Sequence, residues 1–75
     1  MRELVEYLTE SLVEDPEAVR VEEVPTGRVT VYEVTVAEDD VGKIIGRQGK
    51  VIRAIRTVVK AAATRQGTRV DVDVV

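Results

Sequence analysis

The chain has 75 residues, 44% of them apolar, and a net charge of −3. A length of 75 residues holds one small domain, residues 1–75, whose apolar content excludes a disordered chain. With no Cys and no His it has no disulfide, no thiolate metal site and none of the commonest acid–base catalyst, so neither an enzyme, a metal site nor a cofactor is expected.

Leu4, Val5, Leu8 and Leu12 recur at helical spacing, which predicts an amphipathic helix over residues 2–14, ended by Asp15-Pro16. Glu6, Glu10 and Glu14 form an outer stripe, read as a solvated face, with an acidic contact face for a basic partner as the alternative. Alternation over Val19–Val24 predicts a short strand. Pro25-Thr26-Gly27 turns the chain, and Arg28–Ala37, rich in Val, Thr and Tyr, completes a hairpin. The alternation slips within that second strand, so either a bulge sits near Tyr32 or both faces are partly covered. Asp39 or Asp40 is placed to cap a short helix from Val41 to Ile45. A longer helix follows, with Val51, Ile52, Ile55, Val58, Val59 and Ala62 on its apolar face and Lys50, Arg53, Arg56, Thr57 and Lys60 opposite; Gly67 closes it. Thr68–Val74 alternates Val70, Val72 and Val74 with Arg69, Asp71 and Asp73, a half-buried strand. The order α-β-β-α-α-β predicts an α+β domain, a three-stranded sheet packed against three helices.

Charge is distributed unevenly. Residues 1–40 hold twelve acids against three basic residues, whereas Val41–Val70 hold eight basic residues and no acid. A basic surface can therefore exist on an acidic protein, because a partner senses the local field. At the start of this basic stretch stands Val41-Gly42-Lys43-Ile44-Ile45-Gly46-Arg47-Gln48-Gly49-Lys50-Val51-Ile52-Arg53-Ala54-Ile55. Two glycines three apart join two helices by a tight turn. The unpartnered amides at the start of the second helix, together with its dipole, suit a phosphodiester. Arg47, Lys50 and Lys43 add positive charge there, Arg53 stands one turn further along, and Gln48 lies within the turn.

This segment resembles the signature of the KH domain family, in which Ile-Ile-Gly-x-x-Gly precedes a helix with Ile at fixed places. The element order matches its type II, prokaryotic form. The resemblance extends to the small free-standing KH proteins of bacteria, the KhpA family, and is strongest from Val36 to Ala63. It implies that Gly46, Arg47, Gln48 and Gly49 clamp single-stranded RNA, or single-stranded DNA, along about four nucleotides. Ile44, Ile45 and Ile52 fit the family's apolar positions, core residues first with one or two also forming groove floor. The bases lie on that aliphatic floor beside a strand within Arg28–Ala37. Lys43, Lys50 and Arg53 stand by their charge as further candidate RNA contacts, with a solvated face as the alternative. It further implies an RNA chaperone or post-transcriptional regulator, linked to cell elongation and shape. Its partner would be a larger KhpB (Jag, EloR) type KH protein or a second copy.

Three other classes compete. A helix-turn-helix expects a helical domain, whereas valine-rich strands flank this pair. A KH fold kept for dimerisation, with RNA contact secondary, is compatible with the acidic first helix. Catalysis is opposed by the residues: Ser11 has no His to activate it, Glu38, Asp39 and Asp40 suit helix capping, and Asp71 and Asp73 lack a third metal ligand. No apolar run approaches the roughly 20 residues of a membrane helix, and Glu3 and Glu6 do not suit a secretory signal. The expected setting is the cytoplasm.

Overall fold

The computed structural model describes residues 1–75. Its elements are α1 (Arg2–Glu10), β1 (Arg20–Thr26), β2 (Val29–Thr35), α2 (Val41–Ile45), α3 (Lys50–Arg65) and β3 (Val70–Val74). Single 3-10 turns span Pro16–Ala18, Glu38–Asp40 and Arg47–Gly49. The α-β-β-α-α-β order is that expected from the sequence. The sheet runs β1-β2-β3, with β1 antiparallel and β3 parallel to the central β2. Parallel pairing requires a crossover, which α2 and α3 provide. The strand within Arg28–Ala37 is therefore paired on both sides from Thr30 to Val34 and has no free edge there.

One face of the sheet aligns Tyr32 with Val72 and Val34 with Val74. These side chains meet Val5 of α1, Ile44 of α2, and Ile52, Ile55, Val59 and Ala63 of α3 in one core cluster. Small branched side chains do the filling; Val5, Ile44 and Val59 are each 0% exposed.

The helix expected over residues 2–14 ends at Glu10. The Ser11 N–H still donates to Tyr7 O at 3.0 Å, but the Leu12 N–H donates to Thr9 O at 3.0 Å, a tightened last turn with which the helix ends. Beyond it, the Glu14 and Asp15 amides go to the Asp40 carboxylate rather than to helical carbonyls. β1 runs two residues further than expected and includes Pro25, which an edge strand tolerates. The turn is then Gly27-Arg28, with Gly27 at φ 65° and Thr26 Oγ1 donating to the Val29 carbonyl at 2.9 Å. β2 is shorter, Val29–Thr35, and carries no bulge, because its register with β1 is unbroken from Thr35 to Val29. The slip in alternation has the other cause: Val29 and Val31 are half-buried on the second face.

The buried face of α3 is Ile52, Ile55, Val59 and Ala63; Val51 and Ala62 are half-buried and Val58 is 48% exposed. The helix closes as expected. Thr68 N–H donates to Ala63 O at 3.0 Å and Gly67 N–H to Thr64 O at 3.1 Å, a Schellman pair with Gly67 at φ 73°.

On the outer face of the sheet, Glu22 lies opposite Glu33 and Glu33 opposite Asp73. Like charges directly across strands repel. Glu33→Gln should therefore stabilise the fold by about 0.2–1 kcal/mol, read as a rise in Tm that shrinks as salt is added.

Candidate nucleic-acid interface

Between α2 and α3 the chain reverses over Gly46-Arg47-Gln48-Gly49. Gly46 takes φ 75°, ψ 172°, Gln48 φ 56°, ψ 26°, and Gly49 φ 75°, ψ 17°. The Gly46 conformation is essentially confined to glycine. Space restricts it as well: a Cβ on Gly46 would lie 2.8 Å from both Cβ and N of Val51. α3 thus starts hard against the end of α2. At Gly49 an added Cβ would meet the Arg53 guanidinium at 3.3 Å, so Arg53 folds back over the hinge. Gln48 is the only non-glycine residue with positive φ.

This geometry leaves donors at the hinge. Arg47 and Gln48 begin a new turn after the break at Gly46, so their N–H groups have no partner within that turn. Gly49, whose N–H donates to Gly46 O at 3.1 Å, forms the cap of the sixteen-residue α3, with no side-chain cap bond. The positive end of the α3 dipole therefore faces the hinge.

The basic residues of the stretch divide into two sets. Arg56 Nε donates to Val72 O at 2.8 Å and lies 3.5 Å from Asp71, and Lys60 lies 3.8 Å from Asp71, so both tie α3 to β3. Lys43 Nζ is 2.6 Å from Glu14 Oε1 and 3.7 Å from Asp40 Oδ1. Arg47, Lys50, Arg53, Arg65 and Arg69 make no ion pair and are exposed, the first three at the start of α3 and the last two at its far end and beyond. The structure thus gathers Arg47, Lys50 and Arg53 with Gly46, Gln48 and Gly49, and holds Lys43 elsewhere. Ile44 is buried in the core at 0% exposure and Ile52 at 7%, whereas Ile45 is 39% exposed and presents apolar surface beside Gly46.

Asp40 stands at the N-cap position of α2 but makes no cap bond; the expected cap is replaced by the long-range contact with Glu14 and Asp15. Its carboxyl titrates below the usual value, chiefly because the Glu14 N–H donates to it; burial opposes, and the Asp15 N–H and the Lys43 ammonium reinforce the shift. A lowered folded-state value means the group contributes stability above its unfolded value of about 3.9. That contribution is lost as pH falls through the folded value. Lys43 is shifted upward, first by its hydrogen bond to Glu14. Neither Asp40's role nor the fold-back of Arg53 had a local signature, because each depends on a partner brought close by folding.

A family model described as KhpA/KhpB, KH domain, matches residues 2–74. The chain belongs to the KhpA/KhpB KH-domain family. The RNA-binding protein KhpA of Clostridium perfringens is 47% identical over 75 residues, covering both chains completely. That of Chlamydia pneumoniae is 42% identical over 74 residues, 99% of this chain and 95% of the other. Among solved structures, Era of Aquifex aeolicus, the Y63A form bound to GDP.AlF4−, superposes with a TM-score of 0.68 at 22% identity. The match covers 97% of this chain but 28% of the Era chain, so the likeness is one of fold. A second Era structure, in complex with MgGDPNP and nucleotides 1506–1542 of 16S ribosomal RNA, gives 0.66 at the same 22% identity.

The glycines of this KH domain should separate on substitution. Gly46→Ala should cost about 3 kcal/mol or more through backbone strain and the Val51 contact. Gly49→Ala should cost about 1–2 kcal/mol, the left-handed backbone alone. Gly42, inside α2 with open space around it, should accept Ala with a gain of about 0.5–1 kcal/mol. Urea melts of the three variants check the order.

Proposed function

We propose that this KH domain, spanning the whole chain, binds single-stranded RNA by clamping its sugar-phosphate backbone at Gly46–Gly49. Arg47, Lys50 and Arg53 supply the countercharge. The observation that carries this reading is electrostatic misplacement: three unpaired cations crowd the N-terminal end of α3, whose first turn contains no acid. Cations at the positive end of a helix destabilise it, by about 0.3–1 kcal/mol each. Nothing in the chain offsets them, and a polyanion would. The relatives named RNA-binding proteins, KhpA, and the Era complex with ribosomal RNA point to RNA as the polyanion. Ile45, exposed next to the hinge, offers the first apolar contact for a base. In this reading the protein acts in the bacterial cytoplasm as an RNA chaperone, remodelling unpaired segments without chemistry of its own.

Two variants test the reading. Arg47→Asp with Gln48→Asp should abolish binding of short RNA with little change in Tm, since Asp tolerates the positive φ at residue 48. Lys50→Glu should lower RNA affinity while raising Tm, because an acid replaces a cation at the start of α3. Wild-type affinity should fall with salt at a log–log slope of about −2, about 0.7 for each of three cations on a single strand. Unchanged affinity in the double variant, or a slope near zero, would contradict the clamp.

A lone domain with three phosphate contacts binds modestly, and joining two domains raises effective concentration. The surface that supports pairing lies between α1 and α3. Leu8, Leu12, Val51, Ala54, Ile55 and Val58 line an apolar groove there, with Leu12 45% and Val58 48% exposed. Val51, Ala54, Val58 and Ala61 follow the three-and-four spacing of a helix–helix seam. A second copy fits this face, since acidic α1 of one chain would meet basic α3 of the other. Val58→Glu should convert a sedimenting dimer to monomer. A monomeric wild type that is captured only by a KhpB-type protein would assign the face to that partner instead.

A further inference from the structure

Asp40 is 2% exposed, yet its carboxylate serves none of the amides of its own helix. Oδ1 accepts the Glu14 N–H and Oδ2 the Asp15 N–H, both at 3.1 Å. These amides belong to the connection between α1 and β1, far away in sequence. One side chain immediately before α2 therefore fastens that connection. Lys43, one turn along α2, closes the arrangement through Glu14 at 2.6 Å and Asp40 at 3.7 Å. A buried carboxylate is tolerable only when its oxygens are satisfied, and two amides and an ammonium satisfy them here. The Lys43–Glu14 pair is largely exposed and worth little alone. The buried end of the clamp is Asp40.

α2 has five residues, too few to hold a direction by its own hydrogen bonds. It is fixed by Ile44 in the core and by what anchors its first turn. Its last carbonyls lead into Gly46, so its direction decides where the hinge amides point. We propose that Asp40 is the positioning residue of the hinge, and that Lys43 is a strut of the same clamp rather than a phosphate ligand. This inference rests on the proposed function, since it states what aims the site described there.

The test combines Asp40→Asn and Lys43→Met in the full chain with a short single-stranded oligoribonucleotide as probe. Asn keeps one acceptor and turns a donor toward the second amide, so exchange at Glu14 or Asp15 should accelerate at least tenfold. The NMR amide signals of Arg47, Gln48 and Gly49 should shift in the free protein. RNA affinity of this variant should drop about tenfold at an unchanged salt slope. Lys43→Met should keep the wild-type slope of about −2. A slope shallower by about 0.7 in Lys43→Met would make Lys43 a phosphate contact and overturn its assignment. Wild-type exchange at both amides, or unmoved hinge signals, in Asp40→Asn would overturn the clamp. Should Asp40→Asn fail to fold, Asp40→Glu, which keeps the charge but displaces the oxygens, reads the same signals. Arg47→Asp separates the two readings: if it binds RNA as wild type does, the phosphate clamp has failed, and the positioning claim is judged on exchange and hinge signals alone.

Discussion

Gly46 and Val51 approach so closely that a single added carbon at residue 46 would overlap the Val51 backbone nitrogen. The rest of the fold follows from this contact. α2 can end and α3 begin within one turn, so α3 starts beside the core rather than away from it. From there its Ile52, Ile55, Val59 and Ala63 face reaches the sheet, and the chain returns as β3, parallel to β2. The same reversal puts the Arg47 and Gln48 amides at the start of a new turn, with no partner inside it, and turns the positive end of a sixteen-residue helix toward the hinge. Packing and binding potential thus share one cause.

Electrostatics then separates paired cations from unpaired ones. Arg56 and Lys60 are spent on Asp71 and the β3 backbone, and Lys43 on Glu14 and Asp40. Of the unpaired cations, Arg65 suits the C-terminal end of α3, whereas Arg47, Lys50 and Arg53 stand at the N-terminal end, which they weaken. Residues that conflict locally with the fold around them are where function is expected to reside. The acids are concentrated in the first forty residues and on the outer sheet face, including the Glu22–Glu33–Asp73 row. The local field at the start of α3 therefore differs in sign from that of the outer sheet face, although the chain is net acidic.

Much of this was legible in the sequence because it is local. The hinge, the long helix, its glycine closure and the valine alternation of β3 all follow from periodicity and turn chemistry within a few residues. What was not legible depends on contacts across the chain. α1 stops at Glu10, and the Glu14 and Asp15 amides, which a helix over residues 2–14 would have left to its own last turn, go to Asp40 instead. Lys43 looks like a free cation until Glu14 is brought to it. The apolar residues of α3 cover more than one face, and spacing alone does not say that Ala63 turns inward while Val58 stays at the surface. The slip in β2 resolves as two partly covered faces because the strand is central, a fact of sheet order rather than of residue order.

The central claim is that the exposed amides of a glycine hinge, backed by three cations, hold the phosphates of an unpaired strand. Titrating the isotope-labelled protein with a short single-stranded oligoribonucleotide, and following every backbone amide by NMR, tests it most directly. The account predicts that Arg47, Gln48, Gly49 and Lys50 move first and furthest, with Ile45 following. Saturation with those signals still, and shifts confined to the sheet face or to the groove between α1 and α3, would contradict it.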